Sequence, residues 1–144
     1  SLMQLGSPTE IYNSPNNAFI ADFIGESSLI SVSVKNKKAY LGTSEILLNH
    51  KVQKDGKYLL VVRPEKLFLA KKTEKNTNLF SGVVTESIFQ GESQLLVLKL
   101  EKKVYGDQAV QMRIANGFDL KDKIPVVGDE LTIGLRKLDS FIVE

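Results

Sequence analysis

The sequence predicts a mainly β protein, a small barrel or sandwich of about ten short strands preceded by two short helices. Three observations carry that expectation. Hydrophobic residues repeat with period two from Ile30 onward. Turn signals recur about every ten residues. The helical signals are confined to the first 25 residues.

The entrance is helical because its capping residues are in place. Ser7-Pro8-Thr9-Glu10 combines an N-cap hydroxyl, a proline at the first helical position and a glutamate three residues after the cap. The turn it starts runs through Tyr12. Ser14-Pro15 restarts the pattern, and Phe19, Ile20, Phe23 and Ile24 then share one face before Gly25 stops the helix. Such an amphipathic face, six residues into the chain, reads as the exit from an upstream domain.

After Gly25 the period switches. Ile30, Val32 and Val34 alternate with serines, and Asn36-Lys37-Lys38 reads as the turn into Ala39–Leu41. Lys54-Asp55-Gly56-Lys57 carries the Asp-Gly hairpin signal. Tyr58 to Val62 is continuously apolar, as expected of a strand buried on both faces. Strands over Val83–Phe89 and Leu95–Leu100 flank a hairpin turn at Gln90-Gly91-Glu92-Ser93. Val110, Met112 and Ile114, then Leu131, Ile133 and Leu135, mark two further alternating strands, and Phe141-Ile142-Val143 the last. Lys71 to Asn78 is the most polar stretch, a loop or a boundary between two barrel-like halves. The domain division is therefore 1–25 for the helical segment and 26–144 for the β domain, with the internal boundary near 71–78.

Composition excludes most chemistry. Among 144 residues there is no cysteine and a single histidine, His50. A disulfide framework, a thiolate metal site, a cysteine nucleophile and a Ser-His-Asp triad have almost nothing to build on. His50 reads as a surface or edge side chain. No phosphate-binding loop and no dinucleotide fingerprint is present. The pairs Asp119/Asp122 and Asp129/Glu130 flank turns, where solvated acids are common. No catalytic, cofactor-binding or metal-ligating residue is assigned.

The net charge of +2 hides an uneven distribution. Residues 1–34 carry −3 with no Lys or Arg, residues 35–75 carry +7, and the remainder −2. Lysines beside turns fit solvated edges, where they also discourage edge pairing. The alternative is an anionic partner. Val62-Arg63-Pro64-Glu65 is the one unusual motif. Pro64 interrupts the ladder, and Arg63, following four apolar residues, is expected to be half-buried against a carboxylate or carbonyls, or to hold an anion.

The segment Gln4 to Tyr12, followed by Ser14-Pro15 and Phe19-Ile20-Ala21-Asp22-Phe23-Ile24-Gly25, resembles the stretch just after the nucleotide-binding domain of ABC importer ATPases. Val62-Arg63-Pro64-Glu65, the Phe80-Ser81-Gly82-Val83-Val84 strand with Phe89-Gln90-Gly91, and Gly128-Asp129-Glu130-Leu131 are similar to later family motifs. Ser28 and Val61 depart from the pattern, at positions where Asn and Gly are usual. The family-motif residues are thus Ser7, Pro8, Glu10, Tyr12, Phe19, Phe23, Gly25, Arg63, Pro64, Glu65, Gly82 and Gly91.

The resemblance implies the C-terminal regulatory region of an importer ATPase, most like the polyamine branch, with the iron and phosphonate branches close. That region has an oligonucleotide-binding-like (OB-like) barrel, the transport-associated OB domain. Implied partners are a second copy of the subunit, its own upstream ATPase domain and, indirectly, the membrane subunits, with no nucleic acid. ATP and Mg are implied in the upstream domain and no cofactor in this one, and the implied location is the inner face of the cell membrane. Readings from other classes are an OB-type nucleic-acid binder using the basic segment and a small-anion-binding module.

Overall fold

A computed structural model describes residues 27–115 and 124–144. The predicted helices of residues 1–25 lie outside the described residues.

Ten strands are described: β1 (Ser28–Lys35), β2 (Lys38–Leu41), β3 (Ser44–Ile46), β4 (Gly56–Val62), β5 (Phe68–Leu69), β6 (Thr77–Gln90), β7 (Ser93–Leu100), β8 (Ala109–Ala115), β9 (Glu130–Arg136) and β10 (Ile142–Val143). They form two five-stranded sheets, in the orders β10-β4-β1-β2-β3 and β5-β9-β6-β7-β8. Every pairing is antiparallel. The inward side chains of both sheets merge in one hydrophobic cluster, in which Leu60, Leu96, Leu98, Ile133, Leu135 and Ile142 are fully buried. Each such side chain contributes roughly 1.5–3 kcal/mol by leaving water.

The alternating patterns become strands for the expected reason. Ile30, Val32 and Val34 point inward from β1 while its serines face out. Val110 and Met112 do the same from β8. Asn36 (φ 53°) and Lys37 (φ 66°) form a two-residue turn that pairs Lys35 with Lys38. Gly91 (φ 69°) turns the chain so that Gln90 pairs with Ser93. Tyr58 to Val62 fills β4, and all but the half-buried Leu59 are buried, because β4 lies between β1 and β10.

Three sequence expectations change. Asp55-Gly56 closes no hairpin: β4 pairs with β1 and β10 rather than with β3. Asp55 Oδ1 instead accepts the Asn36 backbone N–H at 3.0 Å, so its turn-forming side chain braces the neighbouring turn. The strand read as starting at Val83 begins at Thr77, which moves Asn78 from the polar connection into a sheet. A one-turn helix, α1 (Lys102–Tyr105), follows β7, too short to leave a helical period in the sequence. Its Tyr105 is buried edge-on against Phe80, with centroids 5.6 Å apart. His50 is half-buried, and Ile142 N–H donates to its Nε2 at 3.2 Å. His50 Nδ1 lies 3.0 Å from Lys51 O.

Two features lock the sheets together. Asn78, on β6 of the second sheet, is 4% exposed. Its Oδ1 accepts from Leu47 N at 2.7 Å, and its Nδ2 donates to Leu47 O and Ser140 Oγ, both at 2.9 Å. Leu47 follows β3 and Ser140 precedes β10, so one amide clasps both ends of the first sheet. The Ser140 hydroxyl in turn donates a hydrogen bond to Arg136 O at 2.7 Å. The second feature is Gly42 (φ 60°) in the β2–β3 turn, where an added Cβ would collide with Val104 O of α1. The adjacent Thr43 N–H donates to that oxygen at 3.0 Å.

Three outcomes are expected. Asn78→Leu strands the Leu47 amide groups and should cost about 2–4 kcal/mol of unfolding free energy in a urea titration. Gly42→Ala combines a left-handed backbone with a clash that the helix cannot yield to, and should lose about 3 kcal/mol. Tyr58 is buried and donates its O–H to Lys54 O at 2.7 Å. Burial foremost, then the charges of Glu144 and Asp55, raise its pKa above the ordinary tyrosine value. The stability it contributes is full below the unfolded-state pKa and is lost as pH rises through the folded value. Alkaline unfolding should therefore be less steep in Tyr58→Phe, with urea midpoints read between pH 9 and 11, bracketing the usual phenol pKa of ~10.

Candidate functional site

The chain crosses between sheets at two places, and both crossings are made by short 3-10 turns. β4 ends at Val62, and Pro64–Lys66 turns the chain into β5. β9 ends at Arg136, and Lys137–Asp139 returns it to β10. Pro64 is buried at the start of its turn, where a missing N–H costs no ladder bond. Lys66 N–H donates to Arg63 O at 3.0 Å, closing the turn. The two crossings are tied by an ion pair between Lys66 Nζ and Asp139 Oδ1 at 3.7 Å. Val61 N–H also donates to Phe141 O at 3.2 Å.

Arg63 is half-buried at this corner. Its Nη2 lies 3.0 Å from Glu65 Oε2, with the side chains 33% and 41% exposed. An ion pair so open to water is worth roughly 0–1 kcal/mol. Pro64 and the turn's backbone bonds therefore shape the corner more than the charges do. Arg136, at the other crossing, lies over the Phe68 ring, 5.2 Å from its centroid. Phe68 reaches it because Gly134, its partner across β5 and β9, has no side chain: an added Cβ would lie 2.7 Å from Phe68 Cζ.

The structure brings Arg63, Pro64 and Glu65 together at this corner and places the other family-motif residues elsewhere. Gly82 lies within β6, where a Cβ would approach Lys99 O to 2.9 Å, so it permits close pairing with β7. Gly91 caps the β6–β7 hairpin. Ser7, Pro8, Glu10, Tyr12, Phe19, Phe23 and Gly25 lie outside the described residues.

The sequence reading missed Asn78 and Ser140, the two buried polar residues of the described core. A signal for Asn78 existed: stepping back by two from Val84 through Gly82 and Phe80 lands on it with inward phase. Ser140 sits in a turn and left no such signal.

Among the described residues, no group of three or more His, Asp or Glu side chains could hold a metal ion. No described helix is long and apolar enough to cross a membrane. Among the described residues, nine large apolar side chains are exposed: besides the scattered Leu29, Leu47, Leu69 and Val83, they gather at three places. These are the β6–β7 hairpin end (Ile88 43%, Phe89 70%), the turn before β9 (Val126 61%, Val127 59%) and the second crossing (Leu138 81%).

Comparison with known proteins places this geometry. A TOBE domain model matches residues 60–142, from β4 through the first residue of β10. The chain is 31% identical to the "Spermidine/putrescine import ATP-binding protein PotA" of Thermotoga maritima, covering 99% of this chain and 41% of that protein. It is 35% identical to the protein of the same name from Borrelia garinii subsp. bavariensis, over 99% of this chain and 37% of that protein. The chain thus spans about two fifths of the length of these relatives. Among solved structures, the cytoplasmic molybdate-binding protein ModG superposes with a TM-score of 0.56 at 11% identity, covering 81% of this chain and 91% of that one. That likeness shows a shared OB-like, mainly β fold. On the match across both crossings and most of the strands, the chain belongs to the TOBE domain family.

Proposed function

We propose that residues 26–144 are the regulatory and dimerisation region of the ATP-binding subunit of a polyamine-type ABC importer, with residues 1–25 as the link to an ATPase domain. One observation carries this reading. Nearly the whole chain aligns with spermidine/putrescine import ATP-binding proteins while spanning only about two fifths of their length. The described residues support it by what they contain: a braced two-sheet frame whose four ion pairs lie at the surface.

The mechanism follows from that rigidity. ATP and Mg bind on the ATPase domain, and this region holds two subunits together while nucleotide drives the ATPase domains toward and away from each other. A contact that stays formed converts their closure into a rotation about a fixed point. The two crossings suit such a pivot, because the first turn is closed by Lys66 N–H on Arg63 O and the second is anchored by Lys137 N–H on Asn76 O. Exposed apolar side chains such as Phe89 and Leu138 offer contact surface for the second copy. The subunit acts at the inner face of the membrane, attached through the membrane subunits.

Sedimentation velocity on the ATPase-linked chain tests this reading. A dimer is expected with and without ATP, with dissociation once residues 26–144 are deleted while nucleotide binding persists. A chain that is monomeric with and without ATP overturns the proposal.

A further inference from the structure

The basic segment folds against the far end of the chain. Lys37 in the β1–β2 turn, Lys38 at the start of β2, Lys51 in the connection to β4, and Lys137 in the second crossing line one groove of about 410 Å³. All four lysines are exposed. One carboxylate, Glu45, lines the groove with them, and its contact with Lys38 is long, at 4.0 Å, and solvated. Lys37, Lys51 and Lys137 make no ion pair among the described residues. Leu48 and Val52 supply an apolar wall.

Lys37 is held there against its own backbone preference. It occupies the second position of a two-residue hairpin turn at φ 66°, where glycine is favoured and a side chain costs stability. Asp55 fixes that turn by accepting the Asn36 N–H. A strained lysine at the edge of a cation-lined groove points to a ligand rather than to the fold.

We propose that this groove binds a polyphosphorylated small molecule, its phosphates on Lys37, Lys51 and Lys137 and its organic body against Leu48 and Val52. The choice of anion follows from the residue types. No arginine lines the groove, so the planar fork that grips a single carboxylate is missing. Separated ammonium groups match the spaced oxygens of a phosphate chain. No Phe or Tyr lines the groove, so successive bases of a single strand have no stacking platform. The volume lies in the range of small-molecule sites. The proposal does not rest on the importer reading: either can fail without the other.

Calorimetric titration of the 144-residue chain with inorganic tripolyphosphate at constant ionic strength tests it. Saturable one-to-one binding is expected. Lys51→Gln with Lys137→Gln should weaken it at least tenfold with an unchanged melting temperature. Lys72→Gln with Lys102→Gln, on another face, should leave it within twofold. Lys37→Gly is the decisive variant: it should raise the melting temperature and still weaken binding several-fold. Absence of saturable binding, equal losses in the two double variants, full affinity in Lys37→Gly, or tighter binding of a single-stranded oligonucleotide would each overturn the proposal.

Discussion

The fold depends on one buried amide. Asn78 reaches from the second sheet to the backbone of Leu47 and the hydroxyl of Ser140, so polar groups from three parts of the chain, Asn78 included, meet at the margin of an apolar core. A polar group taken out of water costs free energy unless its bonds are made, and these bonds exist in one relative placement of the sheets only. Hydrophobic burial alone would tolerate small slips between the two layers. The amide does not, because a shift of one residue leaves the Leu47 N–H and C=O without partners. The Gly42–Val104 contact adds a second point of registration at the opposite end of β3, where one backbone approaches another too closely for any side chain.

That constraint shapes what the molecule can do. With the sheets registered, the two 3-10 crossings lie side by side and are cross-tied by Lys66–Asp139. The ion pairs at the crossings are partly solvated and contribute little, so the corner is shaped by proline, turn geometry and backbone bonds. Such a frame is suited to transmitting force and presenting surface. In the proposed reading the chemistry of transport belongs to an ATPase domain, and this region contributes contact, spacing and the charge gathered at the β1–β2 turn.

Much of this was legible in the residues because β structure writes itself with period two. The inward faces of β1, β8 and β9, the Asn36-Lys37 turn and the Gln90–Ser93 hairpin are local events, decided by neighbours a few positions apart. The misreadings share a cause. Asp55-Gly56 carries a hairpin signal that is locally sound, yet β4 gains more by pairing along seven residues of β1 than by returning to the three-residue β3. Asn78 looked like the end of a polar loop because its partners are 31 and 62 positions away. The one-turn helix α1 left no period at all. Of the corner, Arg63-Pro64-Glu65 was visible as a motif, whereas its tie to Asp139 was not.

By itself, the sequence determined that this chain is mainly β, where most of its strands and turns fall, that it lacks the side chains for cysteine, triad or histidine-metal chemistry, and which family its motifs resemble. These properties follow from residue identity and short-range spacing. Only the tertiary structure decided the order of strands in the two sheets, the inward role of Asn78 and Ser140, and the gathering of Lys37, Lys51 and Lys137 around one groove. Those depend on which distant segments share a layer. Pairing energy along whole strands and the cost of unpaired polar groups settle that choice, and neither quantity is written in any short stretch of the chain.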